Sequence, residues 1–233
     1  VPIEGEIYGR NQIAPAGEMR RITDYSVTSS HVFLFYQTVN FSNLVGIILP
    51  TAIDFASNGS VWLGASWFAG MGYSLSIRTE GDWVSLGNGI VNECFAVAWM
   101  GSPVNKFIVG GYSWGGPTIG YSSDAINWNT VPNSQNIIGW VFETATKGGR
   151  AVIVGDRVAG SSTIAWSDNA MNWTGLGYGG QIFQQSGYGV TASTTKFVAV
   201  GINPCLSYSY DGINWTRIDG IFSIAGKTGT LSQ

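Results

Sequence analysis

His31 is the only histidine in the chain, so a histidine-based triad or a multi-histidine metal site has no material to build from. Cys94 and Cys205 lie far apart and match no metal or redox spacing. They are read as two buried free thiols rather than a disulfide. Carboxylates are the remaining candidates for chemistry, because a glycosidase needs two or three of them converging on one point. Most acids here stand in turn-like phrases or near the N-terminus. Asp54, Glu93, Glu143 and Asp156 are left over. Glu93 and Glu143 both follow the start of a β-rich run and form the pair to test for catalysis. The alternative is that they line an interior surface, held by water or backbone hydrogen bonds. No metal and no cofactor is expected.

Binding has richer material. Trp67, Phe68, Tyr112 and Trp114 stand in stretches rich in Gly and Ser, where burial is not obligatory. Asp156, Arg157, Asn203, Asn133 and Gln135 stand in comparable stretches. An aromatic ring flanked by amide and carboxylate groups suits a sugar, whose apolar face stacks on the ring while its hydroxyls bond the polar groups. Two other uses fit the same residues. The rings can pack on one another as caps, or they can form a protein–protein surface, where Trp and Tyr are favoured.

These residues must be positioned by something repetitive. The string "SYSYDGINWTRI" (207–218) has relatives in "YSSDAINWNTV" (121–131) and "AWSDNAMNWTGL" (165–176), and a weaker one in "SIRTEGDWVSL" (76–86). Their tryptophans, Trp83, Trp128, Trp173 and Trp215, lie 45, 45 and 42 residues apart. A second phrase precedes each: "VWLGA", "KFIVGG", "AVIVGD" and "KFVAVG". Around Trp173 one unit holds four strand-sized pieces, "IIGWVFETAT", "RAVIVGD", "STIAWSD" and "NWTGL". Four short strands in roughly 40–50 residues is the period of a β-propeller blade.

The predicted fold is therefore all-β: a five-bladed propeller of four-stranded antiparallel blades in a single domain, 1–233. Blades are expected over 46–90, 91–136, 137–181 and 182–218. The fifth combines 1–45 with 219–233, one strand from the C-terminus and three from "EIYGRN", "MRRITDYSV" and "HVFLFYQTV". Such a closure leaves no free strand edge. Loops joining second to third strands and fourth to first strands then gather on one face. The Asp–Trp hairpins gather on the other.

The phrase Ser209-Tyr210-Asp211-Gly212-Ile213-Asn214-Trp215 resembles the Asp-box (BNR-like) hairpin of sialidase-like propellers, bacterial lectins and bacteriophage tail or virion proteins. Its copies are Ser122 to Trp128 and Ser167 to Trp173, with Ala125 in place of the glycine and Asp168 one place early. The match departs from the usual box by one residue between Asp and Trp. The resemblance implies that Asp124, Asp168 and Asp211 shape tight turns, that Gly212 adopts a positive φ, and that each Trp is wedged between sheets. It also implies that these hairpins lie away from the binding face. Sialidases of this kind use an arginine cluster, and three inward arginines from separate blades are not evident among Arg10, Arg20, Arg21, Arg78, Arg150, Arg157 and Arg217.

Composition agrees with a particle-surface or secreted protein. Charged residues are 11% and aromatics 13%, with 33 glycines. The net charge of −3 and scattered basic residues argue against nucleic-acid binding. The longest apolar runs are too short to span a bilayer, so no membrane insertion is expected. The start shows neither a signal-peptide pattern nor an initiator Met, and the chain is expected to be processed or part of something longer. An extracellular, secreted or virion-surface location is expected. The functional expectation is non-enzymatic recognition of a cell-surface glycan, lectin-like or as a phage receptor-binding module. The alternative is a structural or docking propeller of a larger assembly, with a glycosidase third.

Overall fold

A computed structural model of the chain describes residues 18–27, 32–40, 52–66, 75–78, 84–87, 90–158, 160–177, 182–203, 205–218, 223–224 and 227–228. The chain divides into two compact units, 1–49 and 50–233.

In the first unit β1 (Glu18–Val27) and β2 (Val32–Asn40) form an antiparallel pair from Glu18↔Asn40 to Val27↔Val32, with a bulge between Ile22 and Asp24. These are two of the three strands expected near the N-terminus. The third, "EIYGRN", lies outside the described residues.

The second unit holds four antiparallel sheets of four strands, each in simple sequential order. The first comprises β3 (Ala52–Ser57), β4 (Trp62–Ser66), β5 (Leu75–Arg78) and β6 (Val84–Gly87). The second comprises β7 (Glu93–Met100), β8 (Lys106–Tyr112), β9 (Ile119–Ser122) and β10 (Asn129–Thr130). The third comprises β11 (Trp140–Lys147), β12 (Arg150–Asp156), β13 (Ile164–Ser167) and β14 (Thr174–Gly175). The fourth comprises β15 (Gly187–Ala192), β16 (Phe197–Gly201), β17 (Leu206–Ser209) and β18 (Trp215–Ile218). All four expected units are present, each as one sheet. Residues 219–233 were expected to supply one strand. Instead β19 (Ser223–Ile224) and β20 (Lys227–Thr228) pair with each other.

The sheets stack face to face through their first strands, β3 on β7, β7 on β11 and β11 on β15. Alternation along the second strands shows why. Phe107 and Val109 join a core with Leu63, Ala65 and Leu75 of the first sheet, whereas Ile108 joins one with Val141, Ala151 and Ile153 of the third. In turn Val152 and Val154 pack with Phe197 and Ala199 of the fourth. A strand buried on both faces must be apolar at nearly every position, and "FIV" and "AVIV" are. Because the two faces of a middle sheet join different cores, no sheet is complete without its neighbours. First strands lie innermost, and the Asp–Trp hairpins lie at the opposite end from the β8–β9 and β12–β13 loops.

One irregularity repeats in all four sheets. The first strand carries a β-bulge that leaves Ile53, Phe95, Phe142 and Tyr188 each as the extra residue opposite the second strand. The glycine of the second phrase answers it. A Cβ on Gly111, Gly155 or Gly201 would run into the carbonyl oxygen of Glu93, Trp140 or Ser186 at this point.

Candidate functional site

On the hairpin face the repeated phrase is a turn, as expected for Asp124 and Asp211. Asp211 Oδ1 accepts the N–H groups of Ile213 (2.8 Å) and Asn214 (2.7 Å), and its Oδ2 accepts Asn214 Nδ2 (2.7 Å). Ser209 Oγ accepts the N–H of Gly212 at 2.8 Å and donates to Asp211 Oδ1 at 2.9 Å. Asp124 repeats this set with Ile126, Asn127 and Ser122. Hydrogen bonds from Asn127 hold the Asp124 carboxyl well below the usual range, and those from Asn214 do the same for Asp211. The indole N–H of Trp128, Trp173 and Trp215 donates to the carbonyl of residue 125, 170 or 212, and Trp173 is the deepest of the three rings. Trp83 lies outside the described residues.

Asp168 corrects the alignment. It does not shape the third turn. Asn169 does, its Oδ1 accepting Met171 N (2.9 Å) and Asn172 N (2.8 Å). An amide oxygen accepts a backbone N–H as a carboxylate does, so Asn substitutes at this position. Asp168 instead receives a two-point hydrogen bond from Arg150, with Nε to Oδ1 at 2.6 Å and Nη2 to Oδ2 at 2.7 Å. Arg150 also donates to the Asp211 carbonyl of the next sheet and lies 4.6 Å from the Trp166 ring centre.

The opposite end carries the candidate binding residues. Trp114 stands in the β8–β9 loop, pinned by Asn92, whose Oδ1 accepts the Trp114 N–H at 3.1 Å while its own N–H donates to Ser113 Oγ at 3.3 Å. The Trp114 ring is 66% exposed and meets Tyr112 edge-on at 6.1 Å. Tyr112 stacks on Trp140 at 4.0 Å, and Trp140 stacks on Phe95 at 6.0 Å. Phe95 meets Phe142 at 6.0 Å, and Phe142 stacks on Tyr188 at 6.1 Å. An unbroken run of six rings thus crosses the inner ends of three sheets. Tyr112 is half-buried support, while Trp114 and Tyr188, 56% exposed, are its open ends. Trp140, Phe95, Phe142 and Tyr188 were not singled out in sequence. Three of them are bulge residues, and a bulge has no local sequence signature.

The other expected residues separate into those near the run and those employed elsewhere. Asp156 Oδ1 accepts Ser186 Oγ at 3.0 Å, clasping the third sheet to the fourth. Asn203 Nδ2 donates to Gln184 Oε1 at 2.9 Å on an exposed loop. Arg157 is half-buried just after β12. Asn133 adopts a left-handed conformation before the short 3-10 turn Ser134–Asn136, and Gln135 lies within that turn. Trp67 and Phe68 lie outside the described residues.

The carboxylates pair differently from the expectation. Asp54 and Glu143 occupy the same place, immediately after the bulge, in the first and third sheets, with Ala96 and Gly189 in the others. Glu93 stands at a different place; its counterpart in the third sheet is Trp140. Burial pushes Glu143 up to about 7, offset by a hydrogen bond from Thr144 N and reinforced by the Asp54 charge. Burial also raises Asp54, against hydrogen bonds from the N–H groups of Val97 and Phe55, both 2.8 Å. The sheets bearing Asp54 and Glu143 are separated by the second sheet. Cys94 is a buried free thiol raised by burial and then by the Asp54 charge; Cys205 is also free but only half-buried, rather than buried as expected. Among the described residues no group of three metal-ligating side chains is found, and no helix is long and apolar enough to cross a membrane.

No protein-family profile matches the sequence, and no curated protein resembles it in sequence. In shape the chain is similar to a chain of a nidogen/laminin complex, with a TM-score of 0.53 and 10% identity over 78% of this chain and 66% of that one. It is also similar, at TM-scores of 0.39 and 0.43, to YCF48 from Cyanidioschyzon merolae (17% identity) and a DUF4623 family protein from Bacteroides eggerthii DSM 20697 (10% identity). The shared regions cover 53% and 88% of this chain. The chain spans 66%, 36% and 57% of the lengths of these three proteins. The first likeness is one of fold, and with four stacked four-stranded antiparallel sheets it makes the second unit a β-propeller structure.

Proposed function

We propose that this propeller is a non-enzymatic recognition module whose ligand is a cell-surface glycan, bound at the end opposite the Asp–Trp hairpins. The run of six rings from Trp114 to Tyr188 carries the reading. Rings already packed on one another are rigid, so a ligand stacking on the open ends orders little further side-chain freedom. Trp114 and Tyr188 present apolar faces to solvent, and Asn92, Asp156 and Glu143 stand on the same inner ends to meet hydroxyl groups. The Asp-box-like hairpins and the low charge support a place on a secreted or virion surface, as in phage receptor-binding proteins. Closure as a five-bladed ring belongs to the same proposal.

The test is a glycan array followed by titration of the best ligand. Trp114→Ala is expected to weaken binding about tenfold or more, the scale of a lost stacking contact at a hot spot. An array with no ligand, or a ligand indifferent to both Trp114→Ala and Tyr188→Ala, would sink the proposal in favour of a docking role within an assembly.

A further inference from the structure

We propose that the glycan recognised at this end is an extended chain rather than a single terminal sugar: one unit stacks on Trp114, another on Tyr188, and the units between them run along the ring edges. This deepens the glycan reading and rests on it.

The packing of the rings decides which faces are open. Tyr112 and Trp140 are inclined by only 15°, Trp140 and Phe95 by 17°, and Phe142 and Tyr188 by 21°. Near-parallel rings at such short range cover one another's faces. Each of the four inner rings meets at least two others, whereas among the described residues Trp114 and Tyr188 each meet one. These two are also the exposed rings of the run. A sugar lays its apolar side on a ring face, so the run offers a platform at each end.

The two platforms are held apart by the fold. Trp114 belongs to the β8–β9 loop of the second sheet, fixed by its bond to Asn92, and Tyr188 is the bulge residue of β15 in the fourth. The third sheet lies between, contributing Trp140 and Phe142 to the run. The platforms therefore stand at least one sheet spacing apart, about 10 Å, beyond the reach of one sugar ring. A ligand that covers both has to be a chain.

A second, independent observation concerns the polar atoms of the run. The hairpin tryptophans Trp128, Trp173 and Trp215 spend their indole N–H inside their own turns, at 2.9–3.2 Å. No described residue hydrogen-bonds the indole N–H of Trp114 or Trp140, or the phenol of Tyr112 or Tyr188. Such groups usually take a partner as they become buried. Here four of them are spread along one strip, and the hydroxyl groups that recur along a sugar chain would meet them. A purely apolar ligand would bury them unpaired, which is costly.

The experiment titrates the full chain with oligomers of two to six units from three uncharged polymers: β-1,4-glucose, β-1,4-N-acetylglucosamine and α-1,6-mannose. Where the glycan array selects another chain, its own length series replaces these. Calorimetry gives affinity and stoichiometry, and NMR follows the indole N–H groups. We expect one series to gain about tenfold or more from dimer to hexamer, the scale of a second stacking contact, at one oligomer per chain. Trp114→Ala and Tyr188→Ala should each bring the hexamer down to the affinity of the dimer, while Tyr188→Phe, which keeps the ring, should retain the dependence on length. The indole signals of Trp114 and Trp140 should shift with the hexamer, and those of Trp128, Trp173 and Trp215 should stay in place. Equal affinity for dimer and hexamer, or array hits confined to mono- and disaccharides, overturns the inference and leaves the glycan reading standing. Absence of binding to every series and to the array ends both.

Discussion

Asp211, in a hairpin turn, and Glu143, within β11, are both carboxylic acids, yet their surroundings push them in opposite directions. Asp211 sits in a turn whose N–H groups are aimed at it, so the charged form is favoured. Its contribution to stability is therefore present above the unfolded pKa, about 4 for a free Asp, and is lost as pH falls below that. Asn169 shows what the same position does without a charge. It keeps the two N–H bonds at 2.9 and 2.8 Å, whereas Asp211 and Asp124 also accept the Asn side chain of their own turn. Asp211→Asn should consequently retain most of the turn and lose its acid sensitivity, while Asp211→Ala loses the turn bonds outright. The expected order of melting temperature at pH 7 is wild type, then Asp211→Asn, then Asp211→Ala, with the gap between wild type and Asp211→Asn narrowing steadily as pH falls below about 4. A constant gap between those two across pH would refute the charge's role. The proposed glycan binding should be unaffected, because this turn lies at the far end from Trp114.

At the scale of one element, the hairpin shows how a repeat tolerates substitution. The residue after the turn Asp or Asn has φ of 64° at Ala125, 65° at Ala170 and 77° at Gly212. A left-handed Ala costs roughly 1–2 kcal/mol, so Gly is the expected choice at all three. Packing decides otherwise. Ala125 and Ala170 are fully buried within the cores between sheets. A methyl there recovers about 0.8 kcal/mol and spares the entropy a Gly would lose. At Gly212 a Cβ would meet Val152 at 2.9 Å, Arg150 at 3.1 Å and Phe197 at 3.2 Å. Urea denaturation should find Gly212→Ala less stable by about 1–3 kcal/mol, an overpacking cost added to strain. Ala170→Gly should fall within about 1 kcal/mol of wild type, since its gains and losses nearly cancel. Similar losses in both variants would mean that local φ, not packing, governs the position.

For the molecule as a whole, the alternation that makes every sheet depend on the next leaves one face to account for. Val198 and Val200 occupy the places in the fourth sheet that Val152 and Val154 hold in the third. Val154 is fully buried, whereas Val200 is 44% and Ile218 40% exposed. The proposed ring closure assigns residues 219–233 to this face. Deleting 219–233 is then expected to lower the melting temperature and to raise binding of a hydrophobic dye. Unchanged melting and no dye binding would argue against closure by the C-terminus.

Much of this architecture was legible before any coordinates. The recurrence of Trp128, Trp173 and Trp215 after a Ser/Asp/Asn turn, preceded each time by a short apolar run and a glycine, determined the number of strands per unit and the order of pairing. Hydrogen bonds between sequence neighbours and two-residue alternation are local, so a single sequence carries them. The site was not local. The bulges that align Phe95, Phe142 and Tyr188, and that make Asp54 rather than Glu93 the counterpart of Glu143, arise where an inner strand must bend against two others. Asp168 was misassigned for a related reason: its neighbour Asn169 accepts the same bonds, and only the position of Arg150 settles which of the two faces the turn. Sequence determined the repeat because each hairpin folds on itself. The tertiary structure decided the candidate site because its rings belong to different sheets, and stacking alone puts them together.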